Sequence, residues 1–287
     1  MTEYKLGLVL EGGASRTYYT CGILDRLLDD GIYADYVIGT SAGIANGVSY
    51  ISRQRGRNYI IGTEYLPDKR YLGLRHLLNP KNKSYYNLDF IFDEIPNKLL
   101  PFDYDAFSAF RGKAVAVVTD IETGKAVYPE VSRYDRKNTV LRASCALPIL
   151  FKPIEVNGKK CLDGGICDSI PVAHALQDGC KKAVVILTQP RDYRKKSDKS
   201  LELSAKLYKN YRNAANALKN RPANYNRTLD EIAKLEKEGK IFVIAPKASL
   251  GIKRTERNPE EIKRIYNMGV SDYDEIREKL INFINNP

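Results

Sequence analysis

The chain has 287 residues, but only two of them are histidines and five are cysteines. The cysteines (Cys21, Cys145, Cys161, Cys167, Cys180) are odd in number, scattered, and never in C-x-x-C spacing. A disulfide framework and a zinc site are therefore not expected, and reduced thiols in a cytoplasmic protein are the plain reading. No apolar run approaches the ~20 residues of a membrane span. The start, MTEYKLGLVLEGG, passes directly from Met1 into a strand and a glycine loop, without the basic and apolar segments of a signal peptide. Internal repeats and low-complexity linkers are missing too, so one domain over 1–287 is the better count, with a core at about 5–190 and a basic helical part at about 191–287 packed on it. No metal or cofactor is expected.

Hydrophobic residues make up 43% and charged residues 28%, which are globular values with ample core for independent folding. The net charge of +11 is concentrated, because Arg191 to Arg221 holds ten Lys/Arg against three Asp/Glu. Two readings stay open for that segment: a solvated helix face, or a surface attracted to anionic lipid headgroups or nucleic acid.

Apolar runs separated by helical patterns set the fold class. Lys5 to Leu10 reads as a buried strand, and Thr17 to Asp30 as a helix stopped by Gly31. A second strand, Tyr36 to Ile38, is followed by a helix from Ala42 to about Arg55. This alternation predicts a parallel sheet covered by helices. Further strands are expected at Ala114–Thr119, Ala183–Leu187 and Ile241–Ala245, with Lys125–Tyr128 as a hairpin partner of the first. Asn87–Leu100 reads as helical up to Pro96, and the irregular stretch Gly56–Pro101 reads either as a cap over a site or as a surface excursion. Two basic helices are expected at about Leu201–Lys219 and Thr228–Glu238. Pro259–Ile284 reads as one or two closing helices interrupted near Gly269.

Chemistry gathers at two turns. Gly39-Thr40-Ser41-Ala42-Gly43 is G-x-S-x-G between a strand and a helix, where the glycines permit a sharp turn that exposes the Ser41 hydroxyl. The bare pattern is weak and needs context. The earlier loop, Glu11-Gly12-Gly13-Ala14-Ser15-Arg16, lacks the Gly-Lys-Ser/Thr of a Walker loop and the spacing of G-x-G-x-x-G. Both loops follow successive strands, so both lie at the carboxyl edge of the sheet, where ligands bind. A serine needs a positioned base. His76 lies in LRHLL beside an Asn79-Pro80 turn, and His174 sits one turn into a helix. Asp163, followed by Gly164 and Gly165, is the better candidate, with a plain turn as the alternative.

Taken together these segments resemble the patatin-like phospholipases. That family has a glycine-rich loop after the first strand, G-x-S-x-G after the second, and D-G-G downstream. Here they are Gly12-Gly13-Ala14-Ser15-Arg16, Gly39 to Gly43, and Asp163-Gly164-Gly165. Ala143-Ser144-Cys145-Ala146-Leu147-Pro148, with Phe151 and Pro153, resembles a further family segment, and Met268-Gly269…Asp272 is similar to the bacterial branch. The resemblance implies a three-layer α/β/α fold with a mostly parallel central sheet, a Ser41–Asp163 dyad, an oxyanion hole from the N–H groups of Gly12, Gly13 and Ala14, and supporting roles for Gly39, Gly43, Gly164, Gly165 and Arg16. Arg16 would hold the loop or attract a phosphate headgroup, against a local salt bridge. The chain departs from the family at Ala14 and Thr17, which replace glycines, and at Ser169, which replaces asparagine.

The implied reaction is hydrolysis of lipid esters through an acyl-enzyme, with contact to an anionic membrane surface and no nucleic acid partner. Two rivals remain at this stage. One is a Ser–Asp–His esterase using His174, and the other is a non-catalytic module that binds lipid or nucleic acid through the basic segment.

Overall fold

A computed structural model describes residues 3–78, 84–197 and 199–286; the expected Asn79-Pro80 turn lies outside them. Five strands run parallel: β1 (Tyr4–Leu10), β2 (Tyr36–Thr40), β3 (Lys113–Asp120), β7 (Cys180–Ile186) and β8 (Ile241–Ile244). Three short strands, β4 (Lys125–Val127), β5 (Ile154–Val156) and β6 (Lys159–Asp163), pair antiparallel beside β3. The order is β5-β6-β3-β2-β1-β7-β8, with β4 also on β3. It is a mixed, mostly parallel sheet flanked by helices. The central strands are continuous apolar runs because they are covered on both faces; every residue of β2 is buried.

Alternate side chains feed two cores. Leu8, Leu10, Val37 and Ile44 point into one, which is covered by α1 (Tyr18–Asp29), α2 (Ala42–Ile51) and α9 (Pro259–Asn285). Val9, Ile38, Val117 and Val185 point into the other, with Val172 of α6 (Val172–Gln177) and Leu229 of α8 (Arg212–Lys237). The short helices α3 (Arg57–Ile60), α4 (Tyr104–Ala109), α5 (Thr139–Ser144) and α7 (Lys199–Leu207) complete the connections. Leu10 pairs with both Gly39 and Ile186, so the carboxyl ends of β1, β2 and β7 lie level and their loops share one edge.

Four expectations about helices change. A 3₁₀ turn at Ala14–Thr17 precedes α1. The second basic helix begins at Arg212 and runs unbroken through Pro222 to Lys237. Leu218, Tyr225 and Leu229 bury on both sides of that proline, and this packing outweighs the one hydrogen bond that Pro222 cannot donate. Phe90–Leu99 is a wide π-helical stretch that continues past Pro96. Lastly, α9 is one continuous helix through Gly269. That glycine is a packing residue: a Cβ there would stand 2.0 Å from the Tyr19 carbonyl oxygen of α1, and one on Gly22 would stand 2.2 Å from the Tyr266 carbonyl oxygen of α9. The two helices cross backbone to backbone. The hydrogen bond from the Tyr19 hydroxyl to Asp272 (2.9 Å) fixes the same crossing.

Candidate active site

Ser41 occupies the turn between β2 and α2 at φ +55°, ψ −131°, a conformation that side chains rarely adopt and that surrounding contacts must hold. They do so on three sides. A Cβ on Gly43 would lie 2.7 Å from the carbonyl oxygens of Leu10 and Glu11, and one on Gly39 would lie 2.8 Å from the Ile44 nitrogen, so both glycines permit the close approach of α2 to β1 and β2. The Ser41 amide donates to the Ser144 hydroxyl (2.8 Å), which itself donates to the Val117 carbonyl of β3 (2.7 Å). Nothing about Ser144 announced this role beyond its place in the A-S-x-A-x-P stretch.

Asp163 ends β6, and its backbone N–H donates to the Ala146 carbonyl (2.8 Å). A Cβ on Gly164 would fall 2.3 Å from the Val117 carbonyl oxygen, so only glycine lets the turn press against β3. Asp163 is 3% exposed. Its Oδ1 accepts the Gly165 amide (2.7 Å), and its Oδ2 is buried without a hydrogen-bond partner among the described residues. Burial pushes the carboxyl above its usual range, while the nearby Ser41 hydroxyl and the Gly165 amide, then the charges of Arg221 and Arg254, act in the opposite direction. The serine is thus close enough to favour the carboxylate yet short of a complete hydrogen bond, a looseness common in sites without substrate. An unpaired buried acceptor beside a hydroxyl is what a proton-abstracting base requires.

The glycine loop closes a third side. Of the three amides expected to form an oxyanion hole, that of Gly12 donates to the Ser169 carbonyl (3.3 Å). Those of Gly13 and Ala14 donate to no protein acceptor among the described residues. Ala14 sits at φ +49°, which explains why a glycine suits this position. Thr17 compensates: its hydroxyl donates to the Ala14 carbonyl (2.7 Å) and accepts from the Asn46 side chain (2.8 Å). Replacing Ala14 by glycine removes a left-handed strain of about 1–2 kcal/mol and adds about 0.4–1 kcal/mol of unfolded-state entropy. Ala14→Gly is therefore expected to raise stability by about 0.5 kcal/mol, read from the urea midpoint at unchanged slope. Glu11, absent from the expected site, anchors the loop from below: its carboxylate accepts the Thr188 amide (2.6 Å) and the Tyr225 hydroxyl (2.7 Å).

Beyond Ser41 an apolar cavity of about 150 Å³ opens. A cavity of that size admits a hydrocarbon group of roughly benzene's bulk. Its walls include Ala45, Leu66, Tyr86, Leu88, Phe92 and Phe151. Several come from the irregular stretch between α2 and β3, so that stretch is a cap over the site and not a surface excursion. Arg57 also lines the cavity; its guanidinium donates to the Leu100 carbonyl (2.8 Å) and lies 5.4 Å from the Phe102 ring centre, and burial lowers its pKa to about 10.

Residues 8–176 match a family model described as patatin-like phospholipase, which is more than half of the chain. The chain belongs to the patatin-like phospholipase family. A second model, described only as a domain of unknown function, matches residues 211–285. Among curated relatives, the uncharacterized protein YjjU of Escherichia coli K12 is 29% identical over 206 residues, covering 65% of this chain and 52% of YjjU. The uncharacterized NTE family protein Rv1063c of Mycobacterium tuberculosis is 27% identical over 59% of this chain and 45% of its own length. The lysophospholipase NTE1 of Kluyveromyces lactis is 27% identical over 63% of this chain and 12% of its own. The chain thus spans about half the length of the first of these relatives and far less of the last. Among solved structures, VipD from Legionella pneumophila aligns with a TM-score of 0.46 at 13% identity, over 97% of this chain and 67% of VipD.

Two of the alternative readings, His174 as base and a local salt bridge at Arg16, fail on geometry. In this patatin-like chain, His174 stacks on Tyr128 (ring centres 3.6 Å apart) and faces Asp178 (3.6 Å). Asp178 binds the Tyr36 hydroxyl and Lys113 at the starts of β2 and β3. Ser41 follows the opposite end of β2, a full strand away, so His174 is corrected from candidate base to structural residue. Arg16, in turn, forms no local salt bridge among the described residues, and its Nε is buried without a partner. Among the described residues, no helix is long and apolar enough to cross a membrane.

Proposed function

We infer that the protein hydrolyses carboxylic esters of lipid acyl chains through a Ser41–Asp163 dyad. The observation that carries this reading is the strained serine turn beside a buried, half-unpartnered carboxylate at the mouth of an apolar cavity. The acyl chain enters the cavity and its carbonyl carbon meets Ser41 Oγ. As the new C–O bond forms, Asp163 takes the hydroxyl proton, and the Gly13 and Ala14 amides receive the developing oxyanion. The tetrahedral centre collapses and the proton passes to the departing alcohol, leaving an acyl-serine. Asp163 then draws a proton from water as the water attacks the acyl-serine; the second tetrahedral centre collapses, the acyl C–Oγ bond breaks, Asp163 returns the proton to Ser41 Oγ, and the carboxylic acid leaves. No positively charged partner need be generated, unlike in a histidine mechanism.

Contact with an anionic membrane surface is supported by the basic helices α7 and α8, and by the exposed Leu203 and Leu207 on the first of them. A single folding unit over 1–287 is supported by β8, which joins the common sheet, and by the α1–α9 crossing.

The reading is tested by p-nitrophenyl esters of graded acyl length. Turnover is expected to rise as the chain lengthens from acetate into the cavity, and His174→Ala is expected to keep wild-type kcat/KM. A loss of more than tenfold in that variant, or a preference for acetate, would overturn it.

A further inference from the structure

The cavity beyond Ser41 has a second pole. Ala42, Ala45, Asn46 and Ser49 share one face of α2 and all line it, so the cavity follows that helix away from the nucleophile. At ~1.5 Å of rise per residue, Ser49 lies about 12 Å along the axis from Ser41. Arg57 lines the cavity as well, and its neighbour Asn58 is tied to that distant part of α2. The Asn58 side-chain amide donates to the Asn46 carbonyl (3.0 Å), and its Oδ1 accepts the Ser49 hydroxyl (2.9 Å). One end of the cavity holds the nucleophile, and the other holds a cation.

Arg57 is 6% exposed, and among the described residues it meets no carboxylate. Arg55, two positions earlier and exposed, pairs with Asp29. Of the five N–H donors of the Arg57 guanidinium, one reaches an acceptor among the described residues, the Leu100 carbonyl (2.8 Å). Its Nε is buried without a partner among those residues. Gln54 fixes the corner that holds the guanidinium: its side chain donates to the Pro101 carbonyl (3.0 Å) and accepts the Asp103 amide (2.9 Å). Other polar side chains on the cavity wall are already engaged. Asn46 donates to Thr17 (2.8 Å), Asn138 to the Phe92 carbonyl (2.9 Å) and Tyr104 to Asn97 (2.7 Å). Asp135, the carboxylate on the wall, accepts the Lys137 amide on one oxygen (2.9 Å) and the Thr139 amide on the other (2.7 Å), so its charge is answered within its own loop. A guanidinium held between apolar walls by one hydrogen bond is costly to the fold. A carboxylate, with two oxygens for a planar fork of donors, meets both its charge and its spare N–H groups.

We propose that Arg57 binds the terminal carboxylate of the substrate's acyl chain, so that the enzyme prefers acyl groups of one length that end in a carboxylate over plain acyl groups of that length. The proposal rests on the Ser41–Asp163 reading and deepens it, because it names the acyl class that this site cleaves. With its carbonyl at Ser41, such a chain lays its methylenes along Ala45 and Val48 and carries its far end to Arg57.

The test compares mono-p-nitrophenyl esters of the dicarboxylic acids from adipate to sebacate with p-nitrophenyl esters of the monocarboxylic acids of equal length. The readout is the ratio of kcat/KM within each pair after subtraction of the enzyme-free rate. That ratio does not depend on how much of a variant is folded. In wild type it is expected to peak at one length, where the carboxylated ester is preferred by at least about tenfold, the worth of one charge-assisted hydrogen bond. Arg57→Met is expected to flatten the peak, and Arg57→Lys to keep part of it. A free fatty acid entering carboxylate first presents the same anion, so octanoate is added as an inhibitor. Octanoate inhibition that weakens in Arg57→Met, with no peak in the wild-type ratio, assigns the anion to a free acid and overturns the substrate claim. A wild-type preference for the plain ester at every length, or the same peak in wild type and Arg57→Met, overturns the Arg57 site, while turnover of the plain esters still supports the dyad. No turnover of any ester overturns both.

Discussion

Ser41→Ala is expected to lower kcat for a p-nitrophenyl ester by at least about 10⁴-fold, as loss of a covalent nucleophile does in other serine hydrolases. No neighbouring group can replace it. Cys145 lines the cavity close by, but burial pushes its thiol well above the usual range, so it stays protonated and unreactive. Asp163→Asn is expected to reach a similar loss by a different route, since the amide keeps the Gly165 contact but cannot take a proton. The two variants separate on stability. Desolvation raises the folded-state pKa of Asp163 above its ordinary 3.8, so ionised Asp163 is a cost to the folded protein. Stability from this group is complete below the unfolded pKa and declines as pH rises through the folded value. Asp163→Asn is therefore expected to raise Tm at pH 7 relative to wild type, with the gain vanishing near pH 4. Wild-type kcat/KM is expected to fall on the acid side as pH drops through the same raised pKa. A mutation that destroys activity and stabilises the fold marks a group kept for chemistry.

Gly269→Ala is expected to destabilise the protein by about 3 kcal/mol or more, or on the order of 10 °C in Tm. Helix propensity alone predicts the reverse, because alanine in a helix interior is about 1 kcal/mol better than glycine. The steric term decides the sign. A methyl 2.0 Å from the Tyr19 carbonyl oxygen cannot be accommodated by a rotamer change, because the obstacle is backbone; α1 and α9 must move apart by more than an ångström. That movement also strains the Tyr19–Asp272 contact and the hydrogen bond from the Tyr266 hydroxyl to Asp25 (2.6 Å). A urea midpoint equal to that of wild type would show that the crossing is looser than described.

Much of the fold was legible because local chemistry and tertiary packing agree. The apolar runs at Lys5–Leu10 and Tyr36–Ile38 are strands because strands buried on both faces need no alternation. Asn157 and Gly158 turn β5 into β6 with φ values of +50° and +75°, as the residue pair predicts. Gly39 and Gly43 flank Ser41 for the reason read from the motif. What escaped was long-range. Glu11 meets Tyr225 across 214 positions, and Ser15 meets Arg254 across 239, with no local pattern to join them. Ser144 was visible only as part of a family-like stretch; its bonds to Ser41 and to Val117 of β3 join distant positions. Gly269 and Pro222 misled in the opposite sense: each is a breaker by propensity, and each sits in an unbroken helix because the faces around it are buried.

The central claim is that Asp163 activates Ser41 as a nucleophile, and labelling by a fluorophosphonate probe followed by peptide mass spectrometry tests it most directly. The account predicts one adduct, on Ser41, formed at least a hundredfold more slowly in Asp163→Asn and absent in Ser41→Ala. An unlabelled wild-type protein, an adduct at another residue, or equal labelling of wild type and Asp163→Asn would contradict it.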